Sequence, residues 1–181
     1  MLTDPAASLY EVVLAIHIIA VVVAFGATFA YPIMFTVAAR QDPRGLPLLH
    51  RVEYTTERFL LNPGLLVVLA AGIYLAGKGH FWSDFFVQWG LAAVVVIGAL
   101  VGAVMIPTSK RAEQIAIRDL AASTEPAGVA GAAGAGARAP AGEVEFSDEY
   151  RALVRRLSLV GTLLSVLVLV TIVLMALHVG A

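Results

Sequence analysis

His17 is the one histidine set deep inside an uncharged stretch of the chain. It lies five residues past Val12, about 8 Å inward at 1.5 Å per residue of helix. Imidazole ionises near neutral pH and is the commonest metal ligand. Ionisable groups inside an apolar span are expensive enough to suggest a function. A neutral imidazole hydrogen-bonded to a neighbouring helix explains His17 equally well. Gln88 lies four residues past Asp84, and Tyr74 four residues before Lys78. Each is therefore about 6 Å inside its own span. Trp89 adjoins Gln88, and His80 and His178 fall near the rim of the same side. All four candidate spans could thus contribute to one polar layer. Taken singly, Tyr74, Trp82 and Trp89 also suit an aromatic interface belt, and His80 and His178 suit contact with water.

A single deep histidine with a second ligand from another helix can hold haem iron without cysteine. The cofactor would be haem b, with His17 as iron ligand, His178 as the leading partner, and Gln88 and Tyr74 lining the site. His80 and Lys78 are the other axial candidates. Nothing in the sequence requires a cofactor. The chain has no cysteine, which removes disulfides, thiolate metal sites and C-x-x-C-H haem attachment. No span carries H-x-x-x-H, H-E-x-x-H or an acidic cluster, so a zinc enzyme is not expected. No Gly-x-Ser-x-Gly or phosphate loop occurs. The 12 basic residues are not gathered on one face and the net charge is −1, which is no footprint for nucleic acid. No Asp, Glu or Lys lies within the uncharged stretches, an argument against proton coupling.

These residues need elements to position them, and composition says which. Of 181 residues, 60% are hydrophobic and 14% charged, and mean hydropathy is +0.87. Soluble domains carry about 25% charged residues, so the expectation is an all-α membrane protein whose partner is the lipid bilayer. Val12 to Ala39, Phe59 to Gly77, Phe85 to Ser109 and Leu157 to Ala181 lack Asp, Glu, Lys and Arg. Each is long enough for a helix crossing about 30 Å of hydrocarbon. A four-transmembrane-helix bundle follows, a single membrane domain over 1–181 with spans near 9–39, 59–77, 82–107 and 157–179. The N-terminal span has no positive n-region and is too long for a signal peptide, so it reads as an anchor.

Lys and Arg number 0, 4, 1, 7 and 0 in the five segments outside the uncharged stretches. The positive-inside rule then places the first and third loops in the cytoplasm and both termini outside. Residues 40–58 form the first cytoplasmic loop, although the run after Pro47 could extend the second span as a helix that Asn62-Pro63 would kink. Residues 124–142, almost all Ala, Gly and Pro, read as a flexible cytoplasmic linker. Ser147 followed by Asp148 and Glu149 reads as a helix start. Ser158, Thr162 and Ser165 form a polar stripe suited to interhelical hydrogen bonds, and Gly98 and Gly102 form a G-x-x-x-G packing signal. His17, Ala20, Val21, Ala24, Thr28 and Pro32 share one narrow helix face, which could admit a flat ligand or a close neighbouring helix.

His17, Phe25, Gly26, Pro32 and Phe35 in the first span, with Gly72 and Tyr74 at the end of the second, carry a resemblance to known families. The chain resembles a bacterial family of predicted integral membrane proteins, a domain of unknown function. More distantly it is similar to haem-associated membrane protoporphyrinogen IX oxidases and to the membrane domain of copper-resistance protein D. The resemblance covers about a quarter of the chain. It implies a multi-pass protein of the bacterial cytoplasmic (inner) membrane, with haem binding through His17. In the oxidases a lysine early in the third span accompanies the histidine; here that stretch has Gln88 instead. The expectation is a polytopic inner-membrane protein of unknown activity, with haem binding through His17 as the leading specific proposal and, if it is an enzyme at all, a haem-dependent membrane oxidoreductase. The alternatives are a non-enzymatic subunit or scaffold, in a homo-oligomer or beside a partner membrane protein, and a small-solute or metal-ion permease.

Overall fold

The computed structural model describes residues 8–124 and 144–177. The sequence-predicted linker and His178 lie outside these, apart from Thr124, which ends a helix. Helix α1 runs Leu9–Gln41. Ser8 caps it, its hydroxyl accepting from the Glu11 amide at 3.3 Å while the Glu11 carboxylate accepts from the Ser8 amide at 2.8 Å. This reciprocal pair satisfies two backbone donors that no helix turn can reach. Asp42 ends α1 and caps a 3₁₀ turn, Pro43–Gly45. Helix α2, Leu46–Thr56, follows, with Pro47 in its first turn, where a missing N–H costs nothing.

Residues 40–58 are thus helical except at Asp42 and the 3₁₀ turn. The expected loop is a helical extension of the second span. A π-helical turn, Glu57–Leu61, joins α2 to α3, Asn62–Gly79, in one unbroken rod. The third span behaves alike: α4, Phe85–Leu100, passes through a π-turn, Val101–Met105, into α5, Ile106–Thr124. It does not stop at residue 107 but continues about four turns further. Helix α6 covers Asp148–Ala176. Its cap is Ser147, whose hydroxyl accepts from the Tyr150 amide at 3.3 Å. Among the described residues four helical rods are long and apolar enough to cross a membrane, and no strand is present.

Both π-turns have one cause. Each is followed by X-Pro: Asn62-Pro63 after the first and Ile106-Pro107 after the second. Proline has no N–H, and its ring clashes with the carbonyl four residues back. The chain widens just before the ring, so that Asn62 donates to the Glu57 carbonyl and Ile106 to that of Val101, one residue further back than in an α-turn. The two turns stand at matching distances from the hairpin at Gly79–Phe85. They divide each rod into an apolar half and a polar half.

Helix α1 packs on α3, α4 on α6, and α2 on α5. The α1–α3 approach is close. A Cβ at Gly64 would fall 2.7 Å from the Ala24 Cβ. The main core runs from Ala24, Leu61, Leu65, Ile97 and Val101 to Ala112, Ala116 and Leu157. A smaller cluster, Ala76, Phe86 and Val87, closes the hairpin. Outward faces stay apolar, with Ile19, Val22, Ile33, Leu66, Val95 and Leu159 all exposed. Lipid is the solvent that suits such faces.

Candidate functional site: a buried acid, histidine and tyrosine cluster

Where α2 meets α5, the buried face is polar. His50, Glu53 and Glu57 share one face of the second rod, with Leu46 and Leu61 above and below. Spacings of three and four residues place them in one line. His50 is 1% exposed, Glu53 4% and Glu57 3%. Ser109 and Glu113 are buried opposite them on α5.

The His50 Nε2 meets the Tyr150 hydroxyl of α6 at 3.0 Å. Its Nδ1 lies 3.5 Å from Glu53 Oε2, in charge contact but without a hydrogen bond. The same Glu53 oxygen accepts from the Ser109 hydroxyl at 2.8 Å. Phe35 of α1 covers the imidazole, ring centroids 4.7 Å apart, and Phe146 stacks on Tyr150 at 4.5 Å. Tyr150, His50, Glu53 and Ser109 therefore form one linked row drawn from three helices. Arg51 reaches from the exposed side to Glu113, at 2.7 Å through Nε and 2.6 Å through a terminal nitrogen.

Glu57 stands apart. Its Oε2 is buried with no hydrogen-bond partner, as is the Tyr31 hydroxyl from α1. Tyr31 lies within electrostatic reach of both Glu53 and Glu57. Arg58, the next residue, turns outward over the Phe59 ring at 5.7 Å. Glu53 and Glu57 thus lie one turn apart, with the His50 imidazole beside Glu53 on the side away from Glu57, while the buried Glu113 is paired with Arg51. Burying a carboxylate without hydrogen bonds or a cation is costly, and such groups neutralise instead. The row brings hydroxyl, imidazole and carboxyl groups together, with hydrogen bonds at Tyr150–His50 and Ser109–Glu53 and none between His50 and Glu53. The described residues contain no set of three or more His, Asp or Glu that could hold a metal ion.

A second polar knot secures the far end. Asp119 Oδ2 accepts from the Ser147 amide at 2.9 Å and its hydroxyl at 2.7 Å, while Arg118 donates to Oδ1. Burial alone would raise the Asp119 carboxyl. The Ser147 donors and the adjacent guanidinium outweigh it and hold the carboxyl below its ordinary value. Arg111, with Arg118, likewise lowers the Glu149 carboxyl. Asp119 and Ser147 each lie ten residues from the apolar runs on α5 and α6, and these groups staple the start of α6 to α5.

The residues singled out by sequence do not gather into one site. His17 packs on α3, its Cε1 3.4 Å from where a Cβ at Gly72 would stand, and its Nδ1 is buried without a partner. Tyr74 is two residues past Gly72, about 200° round the helix, so it turns away from His17. Gln88 is exposed and donates to the Trp82 carbonyl at 3.4 Å. His80 caps α3 in the left-handed conformation, φ 60°, and is exposed. Trp89 is not merely a belt residue: its indole donates to the Thr171 hydroxyl of α6 at 3.1 Å. Thr162 bonds within its own helix, to the Ser158 carbonyl at 2.8 Å. Gly98 faces Leu65, and Gly102 faces open space.

The small-residue face of α1 is occupied by a helix. Ala24 meets Gly64 of α3 there. Among the described histidines, His50 belongs to the buried cluster and His80 is exposed at the end of α3.

The expectation against proton coupling rested on the uncharged stretches alone. Glu53 and Glu57 are buried carboxylates, although no uncharged stretch contains them. Their signal was the spacing Leu46, His50, Glu53, Glu57, Leu61, a helix face continuous with the span. Comparison with family models, curated proteins and solved structures finds no match for this chain.

Proposed function

We propose that this is a polytopic membrane protein, without enzymatic activity of its own, that takes up and releases a proton at the Glu53–Glu57 cluster to drive passage of a small solute or ion. The observation that carries this reading is Glu57: 3% exposed, one turn from Glu53, with Oε2 unpartnered. Ionisable groups of this kind in membrane bundles mark proton relays and ion pathways. The distribution of Lys and Arg supports a cytoplasmic position for the cluster, in a bacterial inner membrane.

The test is infrared difference spectroscopy of the reconstituted protein across pH 5–9. A protonated-carboxyl band that titrates in this range and vanishes in Glu57→Gln supports the proposal. No titrating carboxyl band, or one unchanged in Glu57→Gln, overturns it.

Haem remains as a second reading because the His17 Nδ1 is buried and unpartnered, and because the first span resembles haem-associated families. A bound porphyrin would supply redox chemistry. It would have to lie off the Ala24 face, which α3 covers. A Soret band from protein purified from haem-supplemented cells, lost in His17→Ala, would establish it; a colourless folded sample would remove it.

A further inference from the structure

We propose that the ring of unpaired cations where the apolar rods end is a binding surface for anionic phospholipid headgroups. The described cations at this end of the molecule fall into two groups. Arg51, Arg111, Arg118 and Arg151 are bridged to Glu113, Glu149, Asp119, Asp148 or Glu145; of these only Arg111, beside Lys110, stands at the border of an apolar run. At the border of the runs, Arg40, Arg58, Lys110, Arg155 and Arg156 have no acidic partner among the described residues. Arg58 and Lys110 rest only on the Phe59 and Tyr54 rings. Arg44, in the 3₁₀ turn, is the one distal cation outside this division.

Asp42, two residues past Arg40, is exposed but accepts from the Arg44 amide and forms no ion pair with Arg40. Glu57 is buried beside the exposed Arg58. Each of the four rods ends its apolar run on a cation at this end: Arg40, Arg58, Lys110 and Arg156. At the opposite end the bordering charges are Glu11, Lys78 and Asp84, which are mixed. The rim is therefore predominantly cationic, and of its cations only Arg111 has an acidic partner among the described residues.

What lies beside these cations identifies the occupant. On α6, Leu159, Leu163, Val166 and Val170 continue from Arg155 at helical spacing, all exposed. On α1, Val37 and Ile33 continue from Arg40 in the same way. A guanidinium followed along one helix by an exposed apolar stripe matches a phosphodiester joined to acyl chains. An acidic soluble partner or free phosphate would match the charge but leave the stripe unused.

Each basic group near a membrane surface is worth about fivefold in affinity for an anionic lipid. The full chain, reconstituted in phosphatidylcholine vesicles carrying spin-labelled phosphatidylglycerol or spin-labelled phosphatidylcholine, reports headgroup preference directly. The wild type should hold the anionic label at least fivefold over the neutral one, even with inorganic phosphate in the buffer. Arg155→Gln/Arg156→Gln should lose most of that preference, Arg155→Lys/Arg156→Lys should keep most of it, and Arg118→Gln should leave it unchanged. Equal association of the two labels, loss of preference to free phosphate, or a preference unaffected by the glutamine pair would overturn the proposal. Because no proton movement is read, failure here is separable from failure of the Glu57 reading.

Discussion

Changing Tyr150 to Phe tests whether the buried row is an energetic unit. The substitution keeps the ring, and with it the Phe146 stacking at 4.5 Å. It removes only the hydroxyl that meets His50 Nε2 at 3.0 Å. His50 is 1% exposed, so no water replaces the lost partner. Leaving a buried polar group unsatisfied costs about 1–3 kcal/mol. His50→Leu strands the Tyr150 hydroxyl in the same way and removes the contact with Glu53. In the double variant neither stranded group remains. The double variant should therefore be less destabilised than the sum of the singles by about 1–2 kcal/mol, within the range seen for directly bonded residues. At about 1.4 kcal/mol per factor of ten in an equilibrium constant, that is roughly a tenfold departure from additivity. Reversible unfolding in mixed detergent–dodecyl sulfate micelles, followed by circular dichroism, gives all four free energies. Additivity within about 0.5 kcal/mol, the scatter of independent sites, would refute the claim that the row acts together.

Three further outcomes follow from particular contacts. Gly64→Val should destabilise by about 1–3 kcal/mol or more, because its Cβ must displace Ala24, whereas Gly26→Ala, which meets nothing within 4 Å, should be near neutral; the same micelle titration ranks the two. Asp119 has its carboxyl held low in the folded state, so its contribution is complete above the unfolded carboxylate value of about 3.9 and is lost as pH falls through the lower folded value. Amide exchange at Tyr150 and Arg151 should accelerate in that acid window, and Asp119→Asn should be fast already at pH 6 and lose the acid step. Pro107→Ala restores a backbone donor, which should let the second π-turn relax toward regular α-helix; a spin-label distance between α2 and α5 that stays unchanged would count against proline as the cause of the turn.

The four rods were legible because lipid leaves the backbone few choices. Long uncharged runs must be helices, and the rods stand where those runs are. The Ser147 cap and the helical run after Pro47 were legible from local chemistry alone. The cluster was not, and the reason is specific. Spans were bounded at charged residues, so Glu53, Glu57 and Glu113 were assigned outside by definition. Their burial depends on α2 finding α5, a pairing between residues some sixty positions apart that no local pattern encodes. His17 was legible as the one histidine deep in an uncharged stretch. Its neighbour proved to be Gly72, and the narrow α1 face proved to be where Ala24 receives Gly64.

The paired π-turns carry an evolutionary consequence. A π-turn holds one residue more than the α-helix it interrupts, and the helix beyond it resumes in regular form. Each is therefore a place where the helix accommodates one extra residue, as a single-residue insertion would require, one between Glu57 and Asn62 and one between Val101 and Ile106. A relative without the insertion should align with a one-residue gap at that position, beside a site where the proline is also missing. If the two gaps occur together across relatives, the rods lengthened as a pair; if separately, each half of the hairpin acquired its extra residue alone.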